Sequence, residues 1–498
     1  MCWLKGIGNL QAPGASAVTR IFVAVRRKAK TVLEKISVID YAAEGKSLAK
    51  VDGKVIFIEN TVPGDVVDVR LWKNKKDWAE GGVIHFHEYS KERVEPFCSH
   101  FGVCGGCQWQ MLPYEKQLEY KQKQVEETLK RIGKIELPDI LPIVGADKTR
   151  FYRNKLEYTF SNRRFLEQSE LSNPAISSEE DVAGFHAKGI FDKVLDIKTC
   201  WLQEEPTNAI RIAVKEFAKK NRYPFYDIRN HNGFLRNVQV RMCTTSELMV
   251  NIVFGYNDEE KIRSLSDFVL EKFPAITTLL YTINSKWNDS LNDLVPIIYY
   301  GKGYVVEKMS VASGEESFQF KIGPKSFFQT NTRQGEELYR LASEFAELNG
   351  QQIIYDLYCG TGSIGIFLSK HAKKIIGVDM MEEAVNDAKE NAAINNLSGL
   401  AEFYSGDVIK ICNDEFFRQH GQPDVIVSDP PRAGMHEKLV RKIIDIASPV
   451  VVYISCNPAT QARDLNLLAE KYSVTKIQPV DMFPHTHHIE NVVQLKLK

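Results

Sequence analysis

Residues 353–363 read Ile-Ile-Tyr-Asp-Leu-Tyr-Cys-Gly-Thr-Gly-Ser, a short apolar run that passes into a glycine-containing turn. Apolar runs of this length, bounded by turn residues, are typical of buried parallel strands. Four further predicted strands alternate with helical stretches and lie at 375–379, 401–404, 425–428 and 450–455. Two final strands follow them. The sequence therefore predicts a doubly wound, Rossmann-like α/β domain over residues 331–498.

Acidic side chains accompany the first three of these predicted strands. Asp356 lies next to the first turn, Asp379 ends the second strand and Asp407 follows the third. In a doubly wound sheet these positions line one ligand crevice, and Gly360 lets the first turn pass close under a ligand. Asp379 can bind both hydroxyls of a ribose, and Asp407 can accept from an adenine amine. Asp356 can pair with the amino group of a methionine moiety.

The same turn also matches the dinucleotide motif G-x-G-x-x-G through Gly360, Gly362 and Gly365. A nicotinamide-dependent oxidoreductase is therefore an alternative interpretation. Asp356 would repel a pyrophosphate at this place, whereas it would attract the ammonium group of S-adenosylmethionine. We therefore expect S-adenosylmethionine as the cofactor.

Two later strands end in residues suited to chemistry on a flat ring. Asp429-Pro430-Pro431-Arg432 follows the run 425–428, and Cys456-Asn457-Pro458 follows the run 450–455. Enzymes that methylate exocyclic amines usually carry Asn-Pro-Pro followed by an aromatic residue, where this chain has Asp-Pro-Pro-Arg. An amine needs no covalent activation. Carbon 5 of uracil, in contrast, is a poor nucleophile until a thiolate adds to carbon 6. Cys456 is therefore the candidate nucleophile.

The proposed reaction needs an ionised thiol and a base. We expect the start of a helix at Pro458 to help lower the pKa of Cys456. Glu490, beside apolar neighbours, is the preferred base for the proton on carbon 5. Three nearby histidines are alternative bases: His485, His487 and His488. Because a uracil in folded RNA is stacked, the expected substrate is an unpaired or extruded base in a single-stranded or loop region.

The bulk composition limits the partners and the compartment. The formal net charge is zero, so any RNA affinity must come from local patches. Nine cysteines, an odd number, favour a reducing compartment with metal-binding or catalytic thiols over a disulfide framework. The absence of a long apolar run argues against a membrane span, and we expect a cytoplasmic protein.

The remaining chain divides into three predicted parts. Residues 1–33 are basic and are predicted to form a disordered arm. Residues 34–92 contain short alternating runs, such as 51–58 and 66–71, which predict a small OB-like β-barrel. Residues 93–330 mix strand-like and helical stretches and predict a central α+β domain. The chain is thus predicted to be a multidomain α/β protein.

A cysteine motif opens the predicted central domain. Cys98, Cys104 and Cys107 follow one another within a short glycine-containing loop. Thiolates at such spacing bind either zinc or an iron–sulfur cluster, and the spacing alone leaves both open.

Taken together, these residues resemble the class I RNA uracil-C5 methyltransferases, within the iron–sulfur-containing branch that acts on 23S ribosomal RNA. The resemblance covers about residues 34–498. It rests on six motifs: Cys98-x5-Cys104-Gly-Gly-Cys107, Phe328-Gln-Thr-Asn331, Asp356-Leu-Tyr-Cys-Gly360, Asp429-Pro-Pro-Arg-Ala-Gly434, Ser455-Cys-Asn-Pro-Ala-Thr460 and Glu490-Asn-Val-Val493.

This resemblance implies several further features. The N-terminal barrel would be a TRAM domain, Cys456 the nucleophile and Glu490 the base. Six residues would contact the methyl donor: Gln329, Tyr358, Ser363, Asp379, Asp407 and Asp429. Four thiols would hold a [4Fe–4S] cluster: Cys98, Cys104, Cys107 and Cys200. The expected partner is 23S ribosomal RNA, and the protein is expected to be a monomer. Methylation of a transfer RNA uridine and a non-catalytic RNA-binding role in ribosome assembly are the alternatives.

Overall fold

The computed structural model describes residues 31–167, 170–173, 175–311 and 316–498. Most of the predicted arm, up to residue 30, lies outside the described residues. The first strand already begins at Val32, slightly before the predicted boundary at residue 34.

The N-terminal region forms one six-stranded sheet. Its strands are β1 (Val32–Ser37), β2 (Asp40–Tyr41), β3 (Ser47–Val51), β4 (Lys54–Glu59), β5 (Val66–Asn74) and β6 (Trp78–Glu88). The strand order is β1-β5-β6-β4-β3-β2, and all pairs are antiparallel except β4 and β6. The alternating run at 51–58 is a hairpin and not one strand, because Asp52 and Gly53 both adopt positive φ. Apolar side chains from five of these strands form a small core.

A second, seven-stranded sheet occupies the middle of the chain in the order β13-β12-β11-β10-β7-β8-β9. Its strands are β7 (Lys155–Ser161), β8 (Val182–His186), β9 (Val194–Asp196), β10 (Leu235–Met242), β11 (Leu248–Phe254), β12 (Thr278–Ile283) and β13 (Ile297–Tyr300). Helix α1 (Tyr114–Thr128) precedes this sheet and continues into a π-helical turn, Leu129–Gly133. Helices α2 (Thr207–Lys220) and α3 (Glu259–Lys272) lie between its strands in sequence and pack in its core.

The third sheet, also seven-stranded, has the order β18-β17-β16-β19-β20-β22-β21. Its strands are β16 (Ile353–Leu357), β17 (Lys374–Asp379), β18 (Ala401–Ser405), β19 (Val425–Ser428), β20 (Val450–Ser455), β21 (Tyr472–Val480) and β22 (Glu490–Leu497). Its helices are α4 (Thr332–Ala346), α5 (Ser363–Leu368), α6 (Glu382–Ile394), α7 (Val408–Ile411), α8 (Asp414–His420), α9 (Glu437–Ile446) and α10 (Pro458–Leu468). A hairpin of β14 (Val305–Ser310) and β15 (Ser317–Ile322) precedes α4.

The C-terminal sheet confirms the predicted doubly wound architecture. Strands β16 to β20 are parallel, and only β22 runs antiparallel to its neighbours. The strand order reverses between β16 and β19, which is where open α/β sheets bind ligands. Strand β20 is apolar and almost wholly buried, as expected for a strand covered on both faces. Asn457 then caps α10 by accepting from the amide of Ala459, and Pro458 occupies the first helical turn.

The hydrophobic cores divide the chain differently from the predicted boundary at residue 331. Val125 and Leu129, in and just after α1, are buried against α9, α10 and the C-terminal sheet. The hairpin β14–β15 also packs in the core of that sheet, through residues such as Val305 and Phe320. Residues assigned by sequence to the central domain therefore contribute to the C-terminal unit. Within the described residues, no helix is both long and apolar enough to cross a bilayer.

Helix α1 is fixed to the C-terminal unit by a fully buried ion pair. The Nζ of Lys121 lies 2.6 Å from an Oδ atom of Asp481, and both side chains are fully buried. The hydroxyl of Tyr114 donates to the other oxygen of Asp481 at 2.8 Å. Burial lowers the pKa of Lys121, and the charge of Asp481 opposes this shift.

Replacement of Lys121 by methionine is expected to lower the free energy of unfolding by about 3–5 kcal/mol, because the charge of Asp481 would remain buried without its partner. Urea unfolding followed by tryptophan fluorescence measures the change. The double variant Lys121→Met/Asp481→Leu removes both charges and should regain part of the loss. A single variant as stable as the wild type would contradict the prediction.

Candidate active site

The predicted site residues of the C-terminal sheet meet at one edge of it. Asp356 and Tyr358 are at the end of β16, and Asp379 ends β17. Asp407, Asp429 and Cys456 follow β18, β19 and β20 respectively. Because β22 runs in the opposite direction, its first residue, Glu490, lies at this same edge. The edge is therefore lined by carboxyl groups and one thiol.

The turn after β16 passes tightly between neighbouring elements. Tyr358 has a φ of 64° and Gly362 a φ of 77°. A Cβ on Gly362 would lie 2.9 Å from the ring of Phe403, so only glycine fits there. The amide of Gly360 donates to an Oδ atom of Asp379 at 3.0 Å. A Cβ built on Gly360 would meet no atom within 4 Å, so the space above the turn is open.

Asp356 is fully buried, and only one of its oxygens is hydrogen-bonded. Oδ2 accepts from the amide of Gly365 at 2.9 Å, whereas Oδ1 has no partner among the described residues. Burial, together with the nearby Asp429 and Asp379, raises the pKa of Asp356 to about 7. Three carboxyl groups packed this closely favour a cationic ligand, because a positive charge relieves their mutual repulsion.

The other predicted contacts of the methyl donor surround these acids. The Oγ of Ser363 lies 2.8 Å from the hydroxyl of Tyr339, a buried side chain whose pKa is raised by burial and by Asp429 and Asp356. Asp407 accepts from the amide of Ile409 at 3.0 Å and caps α7. The pKa of Tyr358 is raised by burial and by three acids: Asp464, Asp407 and Asp379. Gln329 is buried.

The nucleophile and the base lie side by side on neighbouring strands. Ser455 of β20 pairs with Asn491 of β22, so Cys456 and Glu490 are the next residues along these antiparallel strands. Burial, together with Glu490 and Asp429, raises the pKa of Cys456 to about 11, and Arg432 opposes this shift. The expectation of a lowered pKa is therefore wrong, because burial and two nearby acids outweigh the helix start.

Asp429 connects the two halves of the site. Burial raises its own pKa to about 7. It also raises the pKa of Asp356, on the cofactor side, and that of Glu490, on the reaction side. The pKa of Glu490 lies well above its usual value, chiefly because of burial, and Arg432 lowers it. A buried carboxyl group beside a thiol has the properties of a general base.

Each of the three alternative bases contacts another polar side chain. Nδ1 of His485 lies 3.1 Å from the side-chain amide of Gln117, and Nδ1 of His487 lies 2.9 Å from that of Gln108. His488 contacts Arg432, with 3.0 Å between Nδ1 and Nη2. Burial is the main cause that lowers the pKa of all three, to about 4, about 4 and about 3. Histidines with such low pKa values are weak bases.

The four predicted metal-binding cysteines line one cavity of about 280 Å³ in the central region: Cys98, Cys104, Cys107 and Cys200. All four thiols are free, and burial raises the pKa of each. Across the described part of the chain, however, no group of three or more His, Cys, Asp or Glu side chains is arranged to hold a metal ion. The structure therefore brings the thiols together without showing a metal site.

Two functional contacts were not assigned from sequence. Arg432 lies in the Asp-Pro-Pro-Arg motif, which marks its position but does not indicate which residues its charge faces. Its charge lowers the pKa of both Cys456 and Glu490. Tyr339 is an ordinary core residue of α4 by pattern, and nothing in its sequence context indicates the contact with Ser363.

Known proteins of similar sequence and structure have related descriptions. A family model for tRNA (uracil-5-)-methyltransferases matches residues 296–498. An RNA methyltransferase of Bacteroides thetaiotaomicron, described as uncharacterized, is 51% identical over 460 residues, which cover 92% of this chain and 100% of the relative. A protein of Porphyromonas gingivalis with the same description is 45% identical over 467 residues, covering 92% and 99% of the two chains.

Among solved structures, the Pyrococcus abyssi tRNA (uracil-54, C5)-methyltransferase in complex with S-adenosyl-L-homocysteine superposes with a TM-score of 0.70. It is 28% identical, and the match covers 92% of this chain and 100% of that one. The fold and the acidic crevice thus define a class I methyltransferase. The chain belongs to a family of RNA methyltransferases and is an S-adenosylmethionine-dependent RNA methyltransferase whose residues 296–498 match the uracil-5 family model.

Proposed function

We propose that this enzyme methylates carbon 5 of a uridine in RNA through a covalent bond between Cys456 and carbon 6. The observation that carries the proposal is the position of Asp429, which acts electrostatically on both Asp356 and the pair Cys456–Glu490. A methyl donor held by the first acid and a uracil held by the pair would therefore be neighbours. The test is transfer of labelled methyl from S-adenosylmethionine to unmodified RNA, followed by mapping of 5-methyluridine.

The reaction proceeds in three steps. The thiolate of Cys456 adds to carbon 6 of the extruded uracil, which leaves an enolate with a nucleophilic carbon 5. Carbon 5 attacks the sulfonium methyl group, so a carbon–carbon bond forms and S-adenosylhomocysteine leaves with the electron pair of the broken bond. Glu490 then takes the proton from carbon 5, the electrons re-form the double bond, and Cys456 is expelled as a thiolate.

The raised pKa of Cys456 means that ionisation of its thiol requires a nearby positive charge, which the methyl donor would supply. Burial, with Glu490 and Asp429 close by, raises the pKa of the Cys456 thiol to about 11. The sulfonium of the methyl donor is a positive charge that would offset these acids. We propose that donor binding lowers the pKa of Cys456 and so activates it only when a methyl group is present.

The pH dependence of cofactor binding follows from Asp356. Its carboxyl group has a pKa of about 7 in the free protein, and only the ionised form can pair with the ammonium group of the ligand. The affinity for S-adenosylhomocysteine is therefore expected to rise about tenfold between about pH 6 and about pH 8, because ligand binding must otherwise displace a proton. Calorimetry at the two pH values measures this. Asp356→Asn should bind weakly at both, and a wild-type affinity independent of pH would contradict the role.

We propose 23S ribosomal RNA as the substrate, since the cysteine motif and its neighbours resemble the branch that acts on this RNA. A transfer RNA is the second candidate, because the Pyrococcus abyssi enzyme is described as acting on transfer RNA and matches nearly the whole chain. Mapping 5-methyluridine in total RNA of a deletion strain separates the two: the mark would be lost from one RNA and retained in the other.

The N-terminal sheet and the cysteine cavity are assigned by the same resemblance. We propose that the six-stranded sheet is a TRAM-type barrel that contacts RNA, and that the four cysteines hold a [4Fe–4S] cluster. Their common cavity supports the second proposal, and four thiols at its wall could ligate a cluster, although they would suit zinc as well. When bound, such a cluster would cross-link the loop of Cys98 to Cys107 to the distant Cys200. Iron, sulfide and zinc analysis of anaerobically purified protein tests it.

A further inference from the structure

The segment 481–488 connects β21 to β22 and ends just before the base Glu490. It is held largely by residues of α1 and of the loop before it. Lys121 and Tyr114 bind Asp481 at the start of the segment, and Lys121 also donates to the carbonyl of Phe483 at 3.2 Å. Helix α1 is remote in sequence from the catalytic residues, yet it fixes the chain that leads into one of them.

His485 is the most tightly fixed residue of this segment, and Gln117 holds it at two points. The backbone of His485 has a φ of 65°, a conformation that residues with a side chain adopt less readily than glycine. Its amide donates to Oε1 of Gln117 at 2.8 Å, and its Nδ1 lies 3.1 Å from Nε2 of the same side chain. Gln117 is fully buried, and its Nε2 also lies 3.0 Å from each of the carbonyls of Trp109 and Leu112, so its two N–H bonds are shared among these oxygens and the ring of His485.

Further contacts continue this support toward the reaction centre. The amides of Gln108 and Trp109 donate to the carbonyl of His485, at 2.8 and 3.1 Å. His488, two residues before Glu490, contacts Arg432 at 3.0 Å. Arg432 in turn lowers the pKa of both Cys456 and Glu490. The path of the segment therefore sets where the base lies and which charge faces it.

We propose that Gln117 is a positioning residue for the proton-removal step. By fixing both the backbone and the ring of His485, it fixes the path to Glu490 and keeps His488 against Arg432. This proposal rests on the covalent mechanism proposed above. It predicts a specific defect: a displaced Glu490 slows the last step, whereas addition of Cys456 and methyl transfer still occur.

The test uses Gln117→Met, because methionine fills a similar volume without the hydrogen bonds. The full-length protein is incubated with S-adenosylmethionine and RNA containing ordinary uridine, and turnover and the denaturation-resistant protein–RNA complex are measured together. We expect turnover and the KM for RNA to fall together by about tenfold or more, with kcat/KM unchanged, and the covalent complex per folded molecule to increase. Gln124→Met makes the same change on the same helix at a partly exposed position and should behave as wild type.

The outcomes separate positioning from a merely structural role. If turnover and covalent complex fall in proportion, or if neither changes, the proposal is overturned. If Gln117→Met does not fold, Gln108→Ala loosens the same segment at His487 from a partly exposed position and should give the same split. Wild-type protein on 5-fluorouridine RNA is the independent control: failure to trap any adduct there would overturn the covalent mechanism itself, whatever the result for Gln117.

Discussion

The variant Cys456→Ala is expected to lose methyl transfer to RNA by at least about four orders of magnitude. Without a thiol, nothing adds to carbon 6, and carbon 5 stays too electron-poor to attack the sulfonium methyl group. Binding of S-adenosylhomocysteine should persist, because the acids that line the cofactor crevice are unchanged. Labelled-methyl transfer and calorimetry on the same preparation measure both properties.

A matched control exists in the same domain. Cys412 is a buried cysteine of the C-terminal core, and Cys412→Ala makes the same chemical change away from the candidate site. It should retain activity and should form an adduct with 5-fluorouridine RNA, which Cys456→Ala should not. Residual turnover of Cys456→Ala within about tenfold of the wild type would be incompatible with covalent catalysis.

The sequence predicts the C-terminal architecture well because its strands are buried on both faces. Continuous apolar runs such as 425–428 and 450–455 stop at proline or polar residues, and the structure has β19 and β20 with the same bounds. The sequence predicts the acids for a related reason: each lies at or close to the end of a strand, and parallel strands bring their ends to one edge. Topology alone thus placed most of the candidate crevice.

The sequence is a poor guide to pKa shifts and to the burial of polar side chains, because both depend on contacts between residues distant in the chain. The raised pKa of Cys456 comes from burial and from Glu490 and Asp429, which lie on other strands, so local context gave the wrong direction. The packing of α1 on the C-terminal unit is a similar case. Lys121 and Gln117 are polar residues on a polar helix by pattern, and only the tertiary structure shows that both are fully buried.

The variant Glu490→Gln is expected to stop the reaction after methyl transfer. An amide cannot take the proton from carbon 5, so the methylated uridine should remain bound to Cys456. We expect steady-state turnover to fall by about three orders of magnitude, while a single methyl group per enzyme is still transferred and the protein–RNA complex survives denaturation. Denaturing gels with labelled methyl donor measure both quantities.

This variant also separates Glu490 from its competitors. If His488 were the base, Glu490→Gln would keep turning over and His488→Ala would accumulate the complex instead. The buried site favours Glu490, because its pKa is raised well above normal whereas that of His488 is lowered to about 3. Glu470→Gln, an exposed acid paired with Arg441 on the same domain, should leave turnover unchanged. If removing Cys456 prevents the adduct and removing Glu490 preserves it, the two variants together establish the order of the steps.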